Sequence, residues 1–388
     1  MAVTGIIAEF NPLHNGHKLL IDRAKEQGDT VICVISGNLV QRGDTSVIPK
    51  LKRAEAALLC GADVVAELPV LWSMSTAQNF ALGGVSQLYN LGCDKIIFGS
   101  ECGDINSLIN AADILLSDEF AQKVSDEVKS GITFAAARSN AAEILGVNPQ
   151  LLSNPNDNLG IEYIMAAKTL NLPITFTCVK RLGAGHDSNE NIGGLVSSSF
   201  IRQKILEDNL GYAERFMPIP LRGFIKEDFV SDIKRIENAI LGILRLKSSD
   251  DFKALPDLSE GIENKLYFSL RVATSLDELY NMIKTKRYTL ARVRRLVLSA
   301  ALGFDGELFM TPPPYVRVLG FSEQGEKQIR KLEPTVPVIT RATQIKELDE
   351  RCKKVFETEC RATDLYALSL SKPLECGLEY KMKLLKGV

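Results

Sequence analysis

The chain has 388 residues, enough for a sizeable core and, at roughly 100 to 200 residues per domain, for two domains. Hydrophobic residues make up 45% and charged residues 24%, which excludes a largely disordered chain, and no apolar run approaches the roughly 20 residues needed to cross a bilayer. A net charge of −2 removes any bulk electrostatic case for a nucleic-acid partner, which must instead be argued from a local patch.

The opening MAVTGIIAEF lacks the basic region and cleavage site of a secretory signal, so a cytoplasmic protein is expected. The first 180 residues then repeat one rhythm: a short β-branched run, a turn, and a stretch of helical period. Strands are predicted over 4–10, 31–36, 63–68, 95–99 and 174–180, all short and apolar, as buried parallel strands are. Helices are predicted over 16–26, 48–59, 77–91 and 105–115, with about two more before Asn154. Alternating strands and helices of this kind specify an α/β domain with a Rossmann-like parallel sheet.

After about Pro218 the period becomes helical, as over 232–246 and 291–302, so a mostly helical second domain is expected, with domains spanning 1–218 and 219–388. Pro312, Pro313 and Pro314 break the chain before a strand-like run at 315–321. A second short run at 336–340 suits pairing with it, which would make a small sheet inside the second domain. The eight cysteines are scattered without close pairs, which reads as reduced thiols and no structural metal site.

The segment GIIAEFNPLHNGHKLL carries the strongest chemical signal. It places His14 and His17 on the turn between the first strand and helix, where open parallel sheets bind ligands and a helix N-terminus offers N–H groups to phosphate. Pro12 stiffens the turn, and Gly16 is expected to let the backbone approach a nucleotide. Fixed donors at this place suit attack on an α-phosphate, where charge builds on the phosphoryl oxygens and the leaving pyrophosphate. The plainer alternative is two histidines capping a helix. Farther on, Ser197-Ser198-Ser199-Phe200-Ile201-Arg202 supplies three hydroxyls at a helix start, with Arg202 to neutralise departing pyrophosphate; alone, it also reads as an ordinary serine cap.

A His-x-Gly-His turn after a first strand, followed by that serine-rich helix start, resembles the class I nucleotidyltransferase and aminoacyl-tRNA synthetase superfamily. More narrowly, the chain resembles the bacterial tRNA(Met) cytidine acetate ligases through AEFNPLHNGH, SGNLVQRGD, ELP, FGSE, NPNDNLGIEY, KRLGAGHDS and TDLYALS. The resemblance implies ATP as cofactor, with Mg2+ expected beside it, and acetate and elongator tRNA(Met) as the other substrates. It implies activation of acetate as acetyl-adenylate and acetylation of N4 of the wobble cytidine.

The ATP site carried over by the resemblance comprises Ile7, Ala8, Glu9, Phe10, Asn11, Pro12, Leu13, His14, Asn15, Gly16, His17, Lys18, Leu19 and Leu20, then Gly99, Asn156, Arg181 and Leu182. Catalytic roles fall on His14, His17, Ser198 and Arg202. In physical terms, Gly99 leaves room at a strand end, and Arg181 offers a planar fork to phosphate. Arg42, Lys50 and Arg53 offer further positive charge, although a solvated helix face explains the last two equally well.

The stretch KTKRYTLARVRR holds Lys284, Lys286, Arg287, Arg292, Arg294 and Arg295 without an acid, which makes it the expected tRNA-binding patch, with Tyr288 available for stacking on a base. A solubilising helix face is the alternative. Two other functions stay open on the residues alone. One is a metabolic nucleotidyltransferase that adenylates or cytidylates a coenzyme precursor, and the other is a non-catalytic RNA-binding protein on a nucleotide-binding fold.

Overall fold

The structure, a computed structural model, describes residues 2–26, 28–181, 196–258, 261–285, 288–308 and 311–387. Its centre is a mostly parallel sheet. Strands β1 (Val3–Ala8) and β2 (Thr30–Ser36) pair in parallel, and a two-residue hairpin, β3 (Leu39–Val40) with β4 (Asp44–Thr45), follows. Strand β5 (Val64–Leu68) joins β2, while β6 (Lys95–Ser100) and β7 (Thr175–Lys180) extend the other side of β1. Every residue of β2 and β5 is buried, which explains why these strands read as unbroken apolar runs.

The crossover helices Asn15–Glu26, Lys50–Leu59 and Ala77–Asn90 sit where the helical period placed them, and the strand bounds differ from expectation by one or two residues at each end. Before Asn154 there are three helices, Asp118–Lys129, Phe134–Ile144 and Pro149–Ser153, where about two are expected; the last is a single five-residue turn started by Pro149, too short to show a period.

The expected small second sheet is not formed. The run after the three prolines, β8 (Val316–Phe321), does take β9 (Val338–Ile339) as a parallel partner, but β8 itself lies antiparallel on β5 and carries β10 (Leu385–Lys386) on its outer side. The main sheet therefore runs β10-β8-β5-β2-β1-β6-β7 and takes strands from both sides of position 218. The physical reason is the open edge of β5: its backbone groups need partners, and an apolar strand with all six residues buried supplies them.

Between β7 and β8 the chain is helical. The long helix Leu290–Leu302 is capped by the Thr289 side chain and ends on left-handed Gly303. After β8, the 18-residue helix Glu350–Ala367 packs back on the loops at the carboxyl ends of β2 and β5: Tyr366 donates to Ser46 O at 3.0 Å, Asn38 donates to Thr363 Oγ1 at 3.0 Å, and Val70 N–H donates to Glu359 Oε2 at 2.7 Å. All eight cysteines are free. Among the described residues no helix is long and apolar enough to cross a membrane.

Candidate active site

The turn after β1 and the start of the helix Ser198–Leu206 meet at the carboxyl end of the sheet. His14 and Ser198, 184 residues apart, stand 2.9 Å from Nε2 to Oγ. Arg202 donates from Nη1 to Asn11 O at 2.7 Å and from Nη2 to Ser199 Oγ at 3.1 Å. Arg42 Nη1 reaches the same Ser199 hydroxyl at 3.4 Å. The three hydroxyls thus have different tasks: Ser197 caps its helix by accepting from Phe200 N–H, Ser198 meets the imidazole, and Ser199 ties two guanidinium groups.

The two imidazoles stack, with ring centroids 3.9 Å apart, and Phe10 closes on His17 edge-on at 5.0 Å. Phe10 itself holds a positive φ of 47°, an uncommon conformation that turns the chain sharply after β1. Gly16 N–H donates to His14 Nδ1 at 3.0 Å. Because Nδ1 accepts, the ring proton of His14 lies on Nε2, which donates to Ser198 Oγ. Burial pushes the His14 pKa down to about 3, helped by the Arg181 and Arg202 charges nearby; His17 is likewise lowered by burial and then by His14 and Arg181. Both rings are neutral donors at physiological pH.

Gly16 acts differently from expectation. A Cβ there would lie 2.9 Å from His14 Cε1, so the missing side chain makes room for the His14 ring itself.

A cavity opens over these groups. It is lined by ten of the fourteen first-loop candidates, by Gly99, Asn156 and Arg181, and by Ser198, Ser199 and Arg202. Pro12, Leu13, Asn15 and Lys18 do not line it: Leu13 is buried in the core beneath the turn, and Lys18 pairs with Asp22 on the outer helix face. Leu182 lies outside the described residues, as do Lys286 and Arg287.

Gly99 ends β6 beside the Arg181 stem, where a Cβ would come 3.5 Å from Cγ. Asn156 is held at the rim because its side-chain amide donates to Glu101 Oε1 at 2.6 Å, while buried Asp157 accepts from Ser100 Oγ at 2.5 Å. The site is cationic: Arg42, Lys180, Arg181 and Arg202 line it against a single carboxylate, Glu9, which accepts from Gln41 N–H at 2.9 Å.

Sequence reasoning missed Gln41, Phe80 and Tyr163, which also line the cavity. The aromatics look like ordinary core residues in a sequence. One signal was present: Gly160, whose Cβ would collide with Phe98 at 2.2 Å, shows that this ring must lie on the helix backbone opposite Tyr163.

Lys50 and Arg53 are not site cations. Both are fully buried. Arg53 donates to the carbonyls of Glu9, Ser36, Gly37 and Ile48, locking three loops at the strand ends. Lys50 sits among Glu67, Glu359 and Glu379, and Arg317 of β8 pairs with Glu67 and Glu379. These three acids are close enough together to resemble a metal site, but the Lys50 ammonium is bonded to all of them.

In the basic stretch, Lys284 is exposed, whereas the arginines are used internally. Arg292 pairs with Asp257 at 3.1 Å and lies over the Tyr288 ring at 4.8 Å. Arg294 lies over Tyr280 at 5.5 Å, and Arg295 donates to Gln41 O at 3.1 Å. Tyr288 is 7% exposed, so the expected base stacking on it is blocked by Arg292 and by the core.

The HIGH Nucleotidyl Transferase family model matches residues 1–378. A tRNA(Met) cytidine acetate ligase of Thermoanaerobacter sp. (strain X514) is 37% identical, with all of both chains covered, and one from Clostridium acetobutylicum is 35% identical over 88% of this chain and 90% of its own. Among solved structures, apo Thermotoga maritima TmcAL superposes with a TM-score of 0.92 at 31% identity, and the same protein bound with alpha-thio ATP with a TM-score of 0.89 at 30% identity; each comparison covers both chains in full.

Proposed function

The chain belongs to the tRNA(Met) cytidine acetate ligase family of HIGH nucleotidyl transferases, and on that premise we propose that it activates acetate with ATP and passes the acetyl group to N4 of the wobble cytidine of elongator tRNA(Met). The observation that carries this reading is the meeting of two neutral imidazoles, Ser198 and Arg202 in one cationic cavity. ATP lies in that cavity with its triphosphate over His14 and His17.

An acetate oxygen attacks the α-phosphorus, the bond to the β-phosphate oxygen breaks, and pyrophosphate leaves. The Nε2 proton of His14 and the ring of His17 meet the charge that builds on the phosphoryl oxygens, and Arg202, fixed by Asn11 O and Ser199, faces the leaving group. A preorganised donor of this kind is worth about 10²- to 10³-fold in rate. The mixed anhydride then gives the weakly nucleophilic cytosine amine a good leaving group, and holding both reactants in one site supplies much of the remaining rate.

Mg2+ is expected with ATP, yet the residues lining the cavity do not form a protein cage for it, since Glu9 is the one carboxylate there and it accepts from Gln41 N–H. Any Mg2+ is carried on the nucleotide's own phosphates. We place the tRNA along the face bearing Lys284, where the basic stretch meets the Gln41–Asp44 loop, with Arg292, Arg294 and Arg295 acting mainly to hold that loop. The enzyme works in the cytoplasm, where its tRNA is.

The test is ATP–pyrophosphate exchange with acetate, with other short carboxylates and with no acid, each with and without tRNA, and with a His17→Ala control. Exchange that requires acetate and is lost in the variant is expected. ATP binding without exchange for any carboxylate, even with tRNA, would replace this reading with transfer of a nucleotidyl group to a coenzyme precursor.

A further inference from the structure

We propose that a second cavity next to the nucleotide site holds the acceptor cytosine, with the Asp44 carboxylate receiving its N4 amine. The inference rests on the acetate-ligase reading and adds the acceptor site to it.

The cavity, of about 180 Å³, is lined by Asp44, Asp232, Tyr280 and Arg294, and by Arg202, which also lines the nucleotide cavity. The loop between β3 and β4 connects the two: Gln41 and Arg42 face the nucleotide, and the next two residues, Gly43 and Asp44, face the second cavity. Gly43 is required there. It holds φ at 71°, and a Cβ would lie 2.5 Å from Arg295 N, so only glycine lets the helix Leu290–Leu302 close against the loop and bring Arg294 to the cavity.

Two features mark the cavity as a ligand site. The Tyr280 side chain is 3% exposed, and its buried hydroxyl has no hydrogen-bond partner; such a group is costly to leave unmade and implies a partner that arrives with a ligand. Asp44 accepts one hydrogen bond, from Thr45 N–H at 2.8 Å on Oδ1, and among the described residues nothing bonds Oδ2. The lining therefore offers an acceptor in Asp44 and donors in the Tyr280 hydroxyl and the Arg294 guanidinium.

Cytosine presents the complement, an N4 amine donor beside the N3 and O2 acceptors. Uracil would turn its O4 acceptor toward the carboxylate and be repelled. A base must be splayed from its loop to enter, which is how single-stranded RNA is read. Burial raises the Asp44 carboxyl above the usual range, which strengthens it as a base. In the transfer step the N4 lone pair attacks the acetyl carbonyl carbon, the carbonyl carbon to phosphate oxygen bond breaks, AMP leaves with the electron pair, and the N4 proton passes to Asp44 and then to solvent.

The two half-reactions separate this from the underlying function. For Asp44→Asn, acetyl transfer to tRNA should fall at least about 100-fold more than acetate-dependent ATP–pyrophosphate exchange does, the size expected for loss of a general base. Tyr280→Phe, which keeps the ring, should raise the tRNA KM about 5- to 10-fold, the cost of one hydrogen bond. Asp44→Asn should also narrow the binding preference for tRNA carrying C over U at the wobble position, a readout that a merely structural role would not move. Transfer and exchange falling together, or an unchanged C-over-U ratio, would overturn the acceptor pocket while leaving adenylation intact. Absence of exchange in the wild-type enzyme would remove the acetate-ligase reading and the pocket with it.

Discussion

Replacing Lys50 with Met should destabilise the protein by an amount that depends steeply on pH. Lys50 and Arg317 neutralise two of three buried carboxylates, and the third, Glu359, is held protonated because burial and the neighbouring Glu67 raise its pKa. Glu379 goes the other way: burial alone raises it, but Arg317 and Lys50 bring it below the ordinary range. Removing the ammonium leaves one buried negative charge without a partner, so the folded variant must take up one more proton. At pH 7, protonating a carboxyl from an ordinary value near 4.3 costs about 3.7 kcal/mol, and at pH 5 about 1 kcal/mol. The larger figure agrees with the roughly 3 to 5 kcal/mol expected for breaking a buried pair.

Trp72 is the single tryptophan, fully buried and two residues from Val70, whose N–H donates to Glu359. Its fluorescence in urea titrations of wild type and variant at pH 5 and pH 7 therefore reads the region directly. The loss should shrink from about 4 to about 1 kcal/mol on acidification. A loss below 1 kcal/mol at pH 7, or one equal at both pH values, would refute the proton count.

Further predictions concern the histidines. His14→Asn removes the Nε2 donor that faces Ser198 and should lower the exchange rate about 10²- to 10³-fold with little change in ATP affinity; an equal loss in ATP binding measured by calorimetry would point to a ground-state role instead. Because both imidazole pKa values are depressed, kcat/KM for ATP in exchange should show no ionisation near 6.5, and a limb there that disappears in His17→Gln would contradict the neutral-donor assignment. The same depression means the unfolded chain binds more protons below about pH 6.5, so this contribution to stability is full above that pH and falls as pH drops toward 3.

The local rules were legible. Strands β1, β2, β5, β6 and β7 read as short apolar runs because both sheet faces are covered, and the His14-x-Gly-His17 turn could be placed at a strand's carboxyl end from its neighbours alone. Lys50 and Arg53 illustrate what was not legible. On a helix of mixed polarity, a cation pointing to water and one pointing into a cluster of acids carry the same letters, and what buries Lys50 is Glu359 and Glu379, more than 300 residues later. The basic stretch has the same ambiguity: its period predicted a helix correctly, but Asp257, Tyr280 and Gln41 decide where Arg292, Arg294 and Arg295 go.

By itself, then, the sequence determined the parallel core, the phosphate-facing turn and the family to which the chain belongs, because each depends on periodicity or on residues within a few positions of one another. Only the tertiary structure decided that Ser198 meets His14, that β8 closes the edge of β5, and that Asp44, Tyr280 and Arg294 line one cavity. Those outcomes depend on which distant surfaces bury one another's apolar faces and satisfy one another's polar groups, and no local pattern encodes that choice.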